Sequence, residues 1–267
     1  MERPVDRVTR PLPQQSPQVQ KKQVIIGSDD FSRLSPFLRL SEDWFRAPGG
    51  FEEHPHRGMQ TVTIVLEGAL EHRDHTGAQG VLRAGDVQWM TAGRGVLHSE
   101  LPHGRETVHT LQLWLNLPRA MKMAPARYRD QRLAGVPIRR VPGGEVRVYA
   151  GRSGDVTHGY GSDYPMGLLD IRLSAGARLA QEIALGERGF LHVLEGNVSS
   201  LREGDGAWFE PGSGDEIRLS AETDCRALLF TGKPIDEPVV AYGPFVMSTP
   251  QEIVQAFEDY QAGRFVA

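Results

Sequence analysis

The sequence predicts an all-β protein built as two tandem antiparallel β-barrels with one C-terminal α-helix. Three observations carry this prediction. Glycine (30) and proline (18) are scattered along all 267 residues; together they exceed their usual share of about 12% and favour short strands joined by tight turns. Runs rich in Val, Ile, Leu, Thr and Trp recur between turn residues, as in Gln60 to Leu66 and Leu111 to Leu115, at the spacing of a barrel or sandwich. The third observation is an internal repeat. Val65-Leu-Glu-Gly68 returns as Val193-Leu-Glu-Gly196, and Arg83-Ala-Gly85-Asp86-Val-Gln-Trp89 matches Arg202-Glu-Gly204-Asp205-Gly-Ala-Trp208 with Arg, Gly, Asp and Trp in register. From tetrapeptide to arginine the interval is 18 residues in the first copy and 9 in the second, shorter by about a hairpin.

Taken in order, residues 1–22 are polar, bear prolines and show no periodicity. Five basic residues against Glu2 and Asp6 give them a charge of +3, and they read as an extended, solvated arm. Residues 23–135 form the first barrel. The proline- and arginine-rich stretch 118–144 reads as a connector, with Arg127, Arg129, Arg132, Arg139 and Arg140 on an exposed face. Residues 136–235 form the second barrel. Residues 236–267 return to a helix from about Pro250 to Ala262, where Thr249 and Glu252 make a capping box and Pro250 takes the first helical position. Ile253, Phe257 and Tyr260 supply its apolar stripe, and Gly263 ends it.

A net charge of -4 with interspersed signs excludes the basic footprint of a duplex-binding protein. The single cysteine, Cys225, cannot form an internal disulfide, and its apolar surroundings predict a buried structural thiol. No apolar stretch has the length or flanks of a signal peptide or membrane span. The expected location is cytoplasmic, with no direct contact to nucleic acid or membrane.

Chemistry is concentrated in two short pairs. His54-Pro-His56 precedes a strand and His98-Ser-Glu100 follows a turn, and residues two apart on extended chain project from one face. If the segments meet inside one barrel, three imidazoles and one carboxylate converge. That donor set suits iron, manganese, nickel, copper or zinc better than calcium or magnesium. The repeat supplies an internal control: its offsets place Glu182 and Ala184 opposite His54 and His56, and Ile217 and Leu219 opposite His98 and Glu100. The second copy keeps the scaffold without the ligands.

Four runs carry a family resemblance: HPHRGMQTV (54 to 62), GDVQWMTAGRGVLHSE (85 to 100), LQLWLNLP (111 to 118) and GPFVMSTPQEI (243 to 253). They resemble the pirin family, from Phe37 almost to the end of the chain. The resemblance implies a bicupin, two tandem cupin-type barrels, with one divalent metal ion, usually Fe(2+), held by His54, His56, His98 and Glu100, and a metal-free second barrel. Zn, Ni, Mn and Cu are the alternative ions. The chain departs from the pattern at Gln60 and Met59, where many pirins keep Glu preceded by Phe. Gln60 cannot serve as an anionic ligand.

The remaining candidates divide as follows. His72 and His75 flank Asp74 in what reads as a solvated hairpin turn. His109 is a candidate partner for a metal-bound imidazole, with core and surface equally open. Arg57 could hold an anionic substrate or a surface carboxylate. His103, His158 and His192 have no matching constellation.

Some pirins cleave flavonols, so the resemblance implies a quercetin 2,3-dioxygenase-like enzyme acting on a flavonol or related enol with O2, Glu100 taking the substrate's hydroxyl proton. The rival expectation is a regulator whose metal controls binding to a protein partner. A closed structural zinc site is the third.

Overall fold

The computed structural model describes every residue except 28–30, 160 and 267. The chain divides into two compact units, one of residues 13–133 with 235–267, the other of residues 1–12 with 134–234. Each unit is an antiparallel β-structure, so the two barrels expected from the repeat are present.

In the first unit one sheet runs Arg127–Gln131, Val87–Thr91, Met59–Glu67, Val108–Asn116, Phe37–Phe45, Lys21–Ile26, and a second runs Phe51–His56, Val96–Pro102, Ala69–Asp74, Gln79–Arg83. Phe45, Val65 and Val108 of the first sheet pack on Leu70 and Leu82 of the second. In the second unit the larger sheet centres on Arg188–Glu195, Cys225–Gly232 and Met166–Leu173, and the ladder Arg178–Glu182 with Glu216–Ser220 covers it. Their core includes Val148, Leu191, Val193, Ile217 and Leu229. Cys225 lies in this core, where burial raises its thiol pKa.

The repeated motifs touch each other in both units. The Gly85 N–H donates to the Val65 carbonyl at 2.8 Å and the Val65 N–H to that of Asp86 at 3.1 Å; Gly204, Val193 and Asp205 make the same pair at 2.9 and 3.0 Å. Asp86 and Asp205 accept from the Arg83 and Arg202 N–H groups at 2.9 and 3.0 Å, closing the turn through the side chain. Gly68 and Gly196 have φ of 74° and 72°. A Cβ there would come within 2.6 Å of the Thr107 carbonyl oxygen and 2.1 Å of the Asp224 one, so the tetrapeptide ends in glycine twice for one steric reason.

Three expectations are revised. Residues 1–22 are not a solvated arm. Arg7–Thr9 pairs with Gly206–Phe209 as an edge strand of the second unit, and Arg3, 2% exposed, donates to the carbonyls of Gly214, Glu187, Ile183 and Ala184. A three-residue strand shows no periodicity, but it satisfies an edge that would otherwise stand open. Lys21 and Lys22 already belong to a strand of the first unit. The connector contributes strands to both units, Arg127–Gln131 to the first and Ile138–Val141 to the second.

The C-terminal helix, Pro250–Gln261, has its capping box as expected. Ile253 and Ala256 are its buried residues, packed with Phe245, Met247 and Phe265 of the first unit. Tyr260, expected in the stripe, is 43% exposed; Ile253 is buried as expected, Phe257 packs half-buried on the same cluster, and Ala256 takes the remaining buried position.

Candidate metal centre

The strand Phe51–His56 lies antiparallel to Val96–Pro102 with His54 opposite His98 and His56 opposite Val96. The two segments are therefore neighbours in one sheet of the first unit. Their imidazoles meet: ring centroids are 4.4 Å apart for His54 and His98, 4.9 Å for His54 and His56, and 5.1 Å for His56 and His98. One ring nitrogen from each lies within 4.8 Å of the other two.

Electrostatics prepare these rings as ligands. His56 and His98 are 2% and 1% exposed. Burial, followed by the neighbouring imidazoles, holds both pKa values well below the usual histidine range, the Pro244 backbone opposing this at His56. Both rings are therefore neutral at pH 7, the form that offers a lone pair to a metal. Neither ring makes a hydrogen bond of normal geometry among the described residues. The Nδ1 of His54 lies 2.8 Å from the Glu52 carbonyl oxygen; a carbonyl only accepts, so Nδ1 carries the proton and Nε2 is left as the donor atom. Orphaned, neutral, convergent nitrogens fit a transition-metal ion.

Glu100 is 3% exposed on the same strand as His98, past a bulge in the ladder. It is not among the three residues whose donor atoms converge. Thr63 donates to its Oε1 at 3.1 Å and Gln112 Nε2 to its Oε2 at 2.8 Å. The Trp114 Nε1–H donates to Gln112 Oε1 at 3.1 Å, which fixes the way the amide faces. Both carboxylate oxygens thus have neutral donors and retain lone pairs for a further partner.

A cavity of about 270 Å³ opens beside the histidines, lined by Phe51, Leu70, Trp114, Gln112, His54 and His56 among others. Trp114 meets the edge of His56 with ring centroids 5.3 Å apart.

Other histidines are placed differently from the sequence reading. His72 is not in a solvated turn. It is 3% exposed, opposite Glu100 in the ladder, with its ring 5.4 Å from His98 and 4.5 Å from Tyr128. The signal was the alternation Leu70, His72, Asp74 against Glu71 and Arg73, which puts His72 on the inward face with Leu70. His75 does lie at the turn, where its Nδ1 accepts from the Leu97 N–H at 3.3 Å. His109 does not serve the cluster: it stacks on Trp44 and donates to Glu42 at 2.8 Å, because Thr110, Gln112 and Trp114 take the inward positions of its strand. Arg57, 4% exposed, donates to Asp259 of the C-terminal helix at 2.7 Å and to the Phe265 carbonyl, so its carboxylate partner is internal. Gln60 is buried at 1% exposure. In the second unit Ile217 and Leu219, which the sequence repeat aligns with His98 and Glu100, lie in the apolar core.

Comparison with known proteins bears on the family and the fold. The family model described as Pirin matches residues 7–115, and that described as Pirin C-terminal cupin domain matches residues 168–266. A pirin-like protein of Solanum lycopersicum is 40% identical over 90% of this chain and 84% of its own length. Mouse pirin is 38% identical over 88% of this chain and 84% of its own. Among solved structures, a quercetin 2,3-dioxygenase from Acinetobacter baumannii superposes with a TM-score of 0.91 at 32% identity, covering 100% of both chains. A bacterial pirin from Escherichia coli in complex with nickel(II) gives a TM-score of 0.70 at 25% identity over 86% of this chain and 99% of its own.

Proposed function

We propose, on the premise that the chain belongs to the pirin family, that it is an iron-dependent dioxygenase cleaving a flavonol or related enolic substrate with O2. The observation that carries the reading is the convergence of three imidazoles beside a small cavity, the rings of His56 and His98 buried without a partner of normal geometry among the described residues. His54, His56 and His98 would hold the ion, with Glu100 as fourth ligand. When bound, a redox-active ion supplies a Lewis acid for a substrate oxygen and a partner for dioxygen.

The chain's own residues have separable tasks. Phe51, Leu70 and Trp114 give the cavity flat apolar walls, which exclude water and select a planar ring system. Glu100 takes the proton of the substrate hydroxyl, as its carboxylate is the anionic acceptor beside the histidines. Thr63 and Gln112 hold that carboxylate in place, so it does not have to reorganise when the proton arrives.

The test is direct. Iron-loaded protein given quercetin in air should consume oxygen and bleach the flavonol absorbance, and His98→Ala should abolish both. Iron-loaded protein that binds one ion per chain but turns over no flavonol or related enol would overturn the reading.

A further inference from the structure

Two cations, Lys22 and Arg39, line the cavity beside the histidines, and among the described residues only Lys22 makes an ion pair with a carboxylate, Asp43, which also attracts Arg39 from a greater distance. Lys22 pairs with Asp43 at 2.6 Å, the two side chains 13% and 3% exposed. Arg39 makes one hydrogen bond among the described residues, from Nη2 to the neutral Gln14 Oε1 at 2.9 Å. Its guanidinium lies over Trp114, 6.0 Å from the ring centroid. Burial lowers its pKa, with Asp43 opposing, so the charge is held against partial desolvation.

The register shows why Arg39 faces the cavity. Arg39, Ser41, Asp43 and Phe45 alternate on one face of Phe37–Phe45, and Arg39 stands opposite Trp114 in the ladder with Val108–Asn116. The same indole meets the His56 ring at 5.3 Å between centroids. A flat molecule lying along Trp114 therefore spans from the imidazoles to the guanidinium, with a metal-seeking oxygen at one end and a substituent facing Arg39 at the other.

We propose that Arg39 is a specificity-determining residue that binds an anionic oxygen substituent of the substrate, so that the preferred substrate is a small aromatic or enolic acid rather than its neutral counterpart. The inference rests on the reading of this cavity as the substrate site. Three properties support it beyond position. A planar guanidinium with free donors is matched to a carboxylate. The partly desolvated wall strengthens such a pair relative to one in water. The cavity, at about 270 Å³, lies just under the usual range for ligand pockets, which favours a compact planar substrate.

The experiment compares 3,4-dihydroxybenzoate with 3,4-dihydroxybenzamide, equal in shape and differing in charge, binding to nickel(II)-loaded protein under argon and read by quenching of tryptophan fluorescence and by calorimetry. Wild-type protein should bind the acid at least tenfold more tightly than the amide. Arg39→Met should lose that preference with little change for the amide, and Arg39→Lys should keep part of it. Equal binding of the two probes by wild-type protein would overturn the role of Arg39 and leave the cavity as substrate site. Binding of neither would overturn both. Because the readout is affinity, an absence of flavonol turnover bears on the proposed reaction and not on Arg39.

Discussion

A buried imidazole nitrogen without a partner costs about 1–3 kcal/mol, and among the described residues the rings of His56 and His98 have no hydrogen-bond partner of normal geometry. A bound metal ion would offset that cost. His98→Leu should therefore raise the stability of metal-stripped protein by about 1–3 kcal/mol, followed by urea unfolding, while elemental analysis shows the metal content falling from near one ion per chain to near zero. A fall in stability of the stripped variant would mean that the rings already have partners in solution. Lys122 is the opposite case. Its ammonium, 2% exposed, donates to the Gly58 carbonyl, Asn116 Oδ1 and the Val246 carbonyl at 2.9, 2.7 and 3.1 Å. Lys122→Met leaves three buried oxygens without a donor and should cost roughly 3 kcal/mol at pH 7. Burial lowers the Lys122 pKa to about 8 from 10.5. Between those values the unfolded chain binds more protons than the folded one, so this residue makes wild-type stability rise with pH. The gap between wild type and Lys122→Met should widen from pH 8 to 10.5, and unfolding curves that keep a constant gap would contradict it.

At the scale of elements, legibility followed side-chain signals. The C-terminal helix was readable because its start is written in side chains: Thr249 accepts from the Glu252 N–H, and Glu252 accepts from that of Thr249. Thr249→Ala should cost about 1 kcal/mol, measurable as a fall in the unfolding midpoint. The tetrapeptide repeat was readable for a comparable reason, since one backbone geometry demands the same glycine twice. Gly196→Ala places a Cβ 2.1 Å from the Asp224 oxygen at a φ of 72° and should cost at least about 1–3 kcal/mol. Arg7–Thr9 was not readable, because pairing along an edge uses backbone groups that every residue carries. His72 was hidden by the turn residues beside it, although its strand alternates.

Across the whole molecule, one scaffold serves two purposes in two copies. The first encloses polar groups that face a cavity, and the second carries Ile217 and Leu219 in its apolar core at the positions the sequence repeat aligns with His98 and Glu100. Spacing made His54 with His56, and His98 with Glu100, legible as two pairs, since residues two apart on a strand face one way, and the pirin resemblance joined the pairs; the contribution of Arg39 was not legible, because it depends on which strand lies opposite Trp114. The N-terminal segment has no counterpart in that logic. Residues 1–12 belong to the second unit, so removing them should act on one unit alone. Deletion of residues 2–11 strips the edge of Gly206–Phe209 and removes Arg3, whose donors hold four carbonyls between Ile183 and Gly214. Hydrogen exchange should quicken at least tenfold across Gly206–Phe209 and residues 183–187, where local opening becomes easier. Protection in Met59–Glu67, and the metal content of the first unit, should stay at wild-type values. Exchange that quickens equally in both units would mean that the segment stabilises the chain as a whole instead of closing the edge of one sheet.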